Sequence, residues 1–157
     1  MKKIFAIVCL LMLGVGFANA QVHQGETAVG AKVVYGSEIE SLGLGAHFQY
    51  GILDQLRGEV GFNYFFEHNH VNWWDVNVNA HYLVALKNDQ FYIYPLAGLN
   101  YTMTKAGEIE SNHVGLNLGA GLEYEFDEHW GANVEYRHTI IRKVDQGVIG
   151  FGINYKF

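Results

Sequence analysis

Gln146-Gly147-Val148-Ile149-Gly150-Phe151-Gly152-Ile153-Asn154-Tyr155-Lys156-Phe157 is the stretch that decides the fold. Gly147, Ile149, Phe151, Ile153, Tyr155 and Phe157 occupy one parity; Gln146, Val148, Gly150, Gly152, Asn154 and Lys156 occupy the other. Successive side chains of an extended strand point to opposite faces, so this segment has one oily face and one lined mostly by glycine and polar groups. A closed sheet of such strands, oily side outward, satisfies every backbone donor and acceptor within a bilayer.

Working outward from this segment, the same alternation recurs seven more times. Strands are expected near 26–36, 40–50, 56–66, 73–85, 91–103, 112–126 and 130–138, ahead of 146–157. The fold class is therefore all-β: an eight-stranded antiparallel up-and-down transmembrane β-barrel. Tight polar connections at 51–55, 87–90 and 127–129 alternate with longer ones at 36–39, 67–72, 104–111 and 139–145. Outer-membrane barrels have short periplasmic turns and longer external loops, which places the N- and C-terminal ends on the periplasmic side. Strand direction then sorts the outward aromatics into two membrane-interface girdles. Tyr50, Tyr82, Phe91, Tyr124, Trp130 and Tyr155 fall at the periplasmic level, and Tyr35, Tyr64, Trp74, Tyr101 and Tyr136 at the external one.

The inward parity carries most of the glycines, a series of asparagines (Asn63, Asn77, Asn79, Asn100, Asn117, Asn133, Asn154) and the charges Lys32, Arg57, Glu59, Asp75, Glu123, Glu125, Glu135, Arg137 and Lys156. Eight strands enclose an interior that side chains alone can fill, so a plugged lumen with paired charges is expected. Pro95 lies inside the fifth strand, where its missing N–H removes a ladder bond, and a local irregularity is expected there.

The first twenty residues have a different character. Lys2-Lys3, the apolar run 4–17 and Ala18-Asn19-Ala20 form the pattern of a cleaved export signal, leaving 21–157 as one barrel domain. Cys9, the single cysteine, lies in that leader, so the mature barrel is expected to rely on no disulfide. No later segment is apolar enough for a helical span. The formal charge of −6 leaves no basic footprint for nucleic acid.

Three stretches resemble the small outer-membrane β-barrel proteins of OmpA and OmpX type, the porin-like outer membrane protein β-barrel domain family. They are Phe91-Tyr92-Ile93-Tyr94-Pro95-Leu96-Ala97-Gly98-Leu99-Asn100-Tyr101, Trp130-Gly131-Ala132-Asn133-Val134-Glu135-Tyr136-Arg137, and Gly152-Ile153-Asn154-Tyr155-Lys156-Phe157. The resemblance implies location in the bacterial outer membrane with lipid and lipopolysaccharide as neighbours, and capture by the barrel-assembly machinery through Ile153, Tyr155 and Phe157. It also invites comparison with a lumen ion-pair gate, for which Arg57, Glu123, Glu135 and Arg137 are the foremost candidates, although a static core that fixes register and plugs the lumen is the favoured reading of these charges. The expected function is a non-enzymatic, monomeric barrel serving envelope integrity or surface interaction; a narrow gated channel is the alternative, and a lipid A-modifying enzyme is less favoured. No cofactor and no catalytic residue is expected. Glu67, His68 and His70, with His113 and His138 near the same rim, are too few and too scattered for a metal site. Ser37, Ser41 and Ser111 sit near external loops, but the sequence after His138 lacks the serine, two positions on, of the deacylase pattern it distantly resembles. Trp73 and Trp74, beside Asn72 and Asp75, are read less as a sugar-binding pair than as an interfacial anchor, Trp74, and a side chain packed into the mouth of the lumen, Trp73.

Overall fold

The computed structural model describes residues 24–68, 71–86, 90–106, 109–141 and 145–157. The expected leader, His70 and most of the 87–90 turn lie outside them. The strands are β1 Thr27–Gly36, β2 Ser41–Leu53, β3 Leu56–His68, β4 Val71–Tyr82, β5 Phe91–Ala106, β6 Ile109–Glu125, β7 Trp130–Ile141 and β8 Gln146–Lys156. A two-residue segment, Val84–Ala85, continues β4 beyond Leu83 and pairs with β5. Each strand pairs antiparallel with its neighbours in sequence, and β1 closes the cylinder on β8 from Ala28↔Lys156 to Gly36↔Val148. The result is an eight-stranded up-and-down barrel, with no strand left at an edge.

Burial is inverted relative to a water-soluble protein. Leu116 and Ile153 are 56% and 54% exposed on the outer surface, whereas Glu123 is 1% exposed inside. Alternation alone produces this, because every described strand keeps the parity expected of it.

The break in β4 falls opposite Pro95. His81 pairs with Leu96 and Val84 with Ile93, so one register runs through the gap, and Leu83 donates its N–H to Gln55 O at 2.8 Å on the other side. Pro95 itself stays in register with Ala120 of β6. The irregularity is thus a gap in one ladder with no register shift.

Several boundaries differ from expectation by two or three residues: β2 runs on to Leu53, β3 and β4 take up most of the loop expected at 67–72, and β7 runs on to Ile141. β5 and β6 run to 16 and 17 residues, and Lys105↔Glu110 and Ala106↔Ile109 still pair. Most of the loop expected at 104–111 is therefore strand, and β4 accompanies β5 to its end through Val71↔Ala106. Its polar residues Thr104, Lys105, Glu110, Ser111 and Asn112 obscured the alternation on which the boundary was judged.

Candidate functional site in the lumen

Alternation on eight strands delivers the inward charges to one narrow column, where they pair across the interior. Arg57 of β3 meets Glu123 of β6 in a two-pronged bond, Nη2 to Oε2 at 2.8 Å and Nη1 to Oε1 at 3.1 Å. Arg137 of β7 donates to Asp75 of β4 at 3.2 Å. Lys32 of β1 lies between Glu59 of β3 at 3.1 Å and Glu135 of β7 at 3.4 Å. Arg57–Glu123 and Arg137–Asp75 link strands three apart around the cylinder, so these side chains span the lumen. Glu135 is held by Lys32 and by the Tyr94 hydroxyl, which donates to it at 3.1 Å. Glu125 stands apart from the column: it is half-buried at the rim carrying Phe157 and pairs with Lys156, which also meets Glu26 at 3.2 Å.

Neutral groups complete the lattice. Asn63 and Asn77 both donate to Asp75. Asn117 donates to Asn77 and Asn79, each at 2.9 Å, and accepts from Thr139 at 2.8 Å. Gln49 donates to Glu59 at 2.9 Å. His81 stacks on Tyr94 with ring centroids 4.7 Å apart, and Arg57 lies 5.4 Å from the centroid of the same tyrosine. Tyr94, His81, His47 and Gln49 were not singled out from sequence, although their parity already placed them inside. Within the buried column three cations, Lys32, Arg57 and Arg137, face four carboxylates, Glu59, Asp75, Glu123 and Glu135.

Ligand atoms of Glu59, His81 and Glu135 lie within 4.8 Å of one another. The position between the two carboxylates is taken by the Lys32 ammonium, and Arg57 Nη2 stands 3.4 Å from His81 Nδ1, so two fixed cations oppose a metal ion there. His113 and His138 join no such group among the described residues. Ser37 and Gly147 are joined by a 2.8 Å backbone bond, and His138 is the cross-strand partner of Gly147. His138 is 3.8 Å from Asp145, outside hydrogen-bond range, so these groups do not make a connected nucleophile, base and acid.

On the outer surface, aromatic rings gather at both ends of the strands. Phe91, Tyr124 and Phe126 pack in sequence at centroid separations of 4.5 and 5.3 Å, and Trp130 meets Tyr155 at 5.0 Å. Toward the opposite end Trp74 lies between Phe62 at 6.0 Å and Tyr101 at 6.2 Å. Tyr50 and Tyr82 also face outward at the first end, and Tyr35, Tyr64 and Tyr136 at the second.

The sequence pattern of the family described as outer membrane protein beta-barrel domain matches residues 7–157. The chain belongs to that family. An uncharacterized outer-membrane protein of Sinorhizobium fredii, y4mB, is 32% identical over a stretch covering 43% of this chain and 40% of that protein. The chain thus aligns with less than half the length of that relative. Among solved structures, the N-terminal β-barrel domain of Pseudomonas aeruginosa OprF is similar, with a TM-score of 0.73 at 18% identity, covering 85% of this chain and 98% of that one. Neisserial surface protein A is similar with a TM-score of 0.66 at 16% identity, covering 86% and 98%. The protein of this family described here is an outer-membrane β-barrel, located in the bacterial outer membrane.

Proposed function

We propose that this is a structural barrel whose lumen is plugged by its own side chains, whose interior is non-enzymatic, and whose role is envelope integrity with short hairpins displayed at the cell surface. The observation that carries this reading is the set of ion pairs bridging strands that are not neighbours, Arg57–Glu123 and Arg137–Asp75, with Lys32 between Glu59 and Glu135. Buried charges held in this way hold each other in place, because parting one pair leaves a desolvated ion. The rim carrying Phe157 faces the periplasm in this reading. Its outward Ile153, Tyr155 and Phe157 present the assembly signal, and the two aromatic girdles sit at the headgroups of phospholipid and lipopolysaccharide around a monomer.

Planar-bilayer recording tests the plug. Well-folded protein is expected to give no current steps, and steady single-channel steps would overturn the reading in favour of a narrow charge-gated channel. A cavity of about 10 Å³ beside Lys32, Glu59 and Glu135, room for about one water, is the feature that favours that second reading.

A further inference from the structure

The ion-pair column does not extend to the rim opposite Phe157. Above it, still on the inward face, lies an apolar cluster of Val34, Phe65, Trp73 and Val148, with Ile39 from the β1–β2 turn packed against it. Phe65 is wholly buried, and Trp73 is its cross-strand partner. Gly43 stands opposite Phe65 on β2 without a side chain; a Cβ there would come 2.4 Å from Tyr64 O and 2.9 Å from Phe65 Cα, both backbone. Val34 and Val148 also line the small cavity beneath, whose lower wall is Lys32, Glu59 and Glu135.

The groups below this roof are short of partners. His47 Nδ1, Gln49 Oε1 and Asn133 Oδ1, with Arg137 Nε on the rung of Val148, are buried and accept or donate no hydrogen bond within the protein, whereas in the roof itself the Trp73 indole N–H alone is left so. Each gains from a water molecule, so the polar column attracts water, and its excess of one carboxylate attracts cations. A lattice with those properties is a poor barrier by itself. An apolar constriction is a good one, because ions cannot keep their hydration shells in it and water leaves it.

We propose that the Val34–Phe65–Trp73–Val148 roof, and not the ion-pair column, is the permeability barrier of this barrel, acting as a dry seal against hydrated ions. This rests on the plugged-lumen reading and names the residues that do the sealing. Once opened, the pore conducts and prefers cations, since four carboxylates outnumber three fixed cations along the column.

Gly61 supplies the reporter. It lines the cavity, and a Cβ there meets nothing closer than 3.7 Å, so the Cβ of Gly61→Cys fits below the roof without a clash. Three proteins carrying that change are compared: otherwise unaltered, with Phe65→Ala and Trp73→Ala, and with Asp75→Asn and Arg137→Gln. Silver ion, added only on the side of the membrane that faces the rim opposite Phe157, is the thiol probe, planar-bilayer current the second readout, and gel mobility before and after heating verifies folding. The roof variant is expected to go from no steps to cation-selective steps and from an unreactive to a reactive thiol, while the ion-pair variant stays closed. If the double change at the roof does not fold, Trp73→Ala alone replaces it. A folded roof variant that stays closed, or an ion-pair variant that opens, overturns the inference and leaves the plug standing. Current through the otherwise unaltered protein overturns the plug itself.

Discussion

Removing the Arg57 guanidinium is the sharpest perturbation of the lumen. Glu123 is 1% exposed, and both its oxygens are bonded to Arg57, at 2.8 and 3.1 Å. Two unit charges about 4 Å apart attract by about 4 kcal/mol at the effective dielectric of 20 that suits protein sites. Arg57→Met forfeits that attraction and leaves a desolvated carboxylate, so the folded barrel is expected to lose about 3–5 kcal/mol. Glu123→Leu alone is expected to cost about as much, because it strands the guanidinium. The double variant, with an apolar pair of similar volume, is expected to return most of the loss. Equilibrium urea unfolding in lipid vesicles, followed by the fluorescence of Trp73, Trp74 and Trp130, supplies the three values of the cycle. Single variants costing less than about 1 kcal/mol, as exposed pairs do, would refute the claim that this pair is dry and mutually dependent. Strictly additive losses in the double variant would refute it too.

Two further perturbations follow from local geometry. A Cβ at Gly119 would stand 2.1 Å from Tyr136 O and 2.9 Å from Arg137 Cα, both backbone, whereas one at Gly150 meets only ordinary contacts from 3.5 Å. Gly119→Ala is expected to cost about 1–3 kcal/mol in urea unfolding, and Gly150→Ala no more than about 0.5 kcal/mol. In the turn between β7 and its predecessor β6, Asp127 Oδ1 accepts the N–H groups of His129 and Trp130, both at 2.8 Å, and these bonds hold its carboxyl below the usual value. A depressed folded value means that the stabilisation is complete above the unfolded value and disappears as pH falls through the folded one. Acid unfolding curves of Asp127→Asn are therefore expected to lack that contribution to the pH dependence.

The eight strands and their facing were legible because alternation is a one-dimensional signal that a barrel preserves along its whole length. The lumen pairing was not, because it depends on how far each strand is staggered around the cylinder, which no single strand records. Arg137 thus finds Asp75 on β4, not the nearby Glu135, and Glu125 ends at the rim. The apolar roof was legible only at Trp73, expected to pack into the mouth of the lumen, and the rest of it was hidden for a different reason. Val34, Phe65, Trp73 and Val148 sit on the inward parity, where the alternation leads one to expect polar groups, and come from four different strands. Only the closure of β1 on β8 brings Val34 and Val148 together. Pro95 was legible in kind, as an irregularity, though its form as a ladder gap required the register of β4.

The inverted burial of the barrel is tested most directly by spin labels placed one at a time along β8 from Val148 to Tyr155 in lipid bilayers, with the relaxation caused by dissolved oxygen, which concentrates in lipid, as the readout. Labels at 149, 151, 153 and 155 are expected to relax fast and those at 148, 150, 152 and 154 slowly, a period of two along the strand. Fast relaxation at 150, 152 and 154 with slow relaxation at 149, 151 and 153, or no alternation at all, would contradict the account.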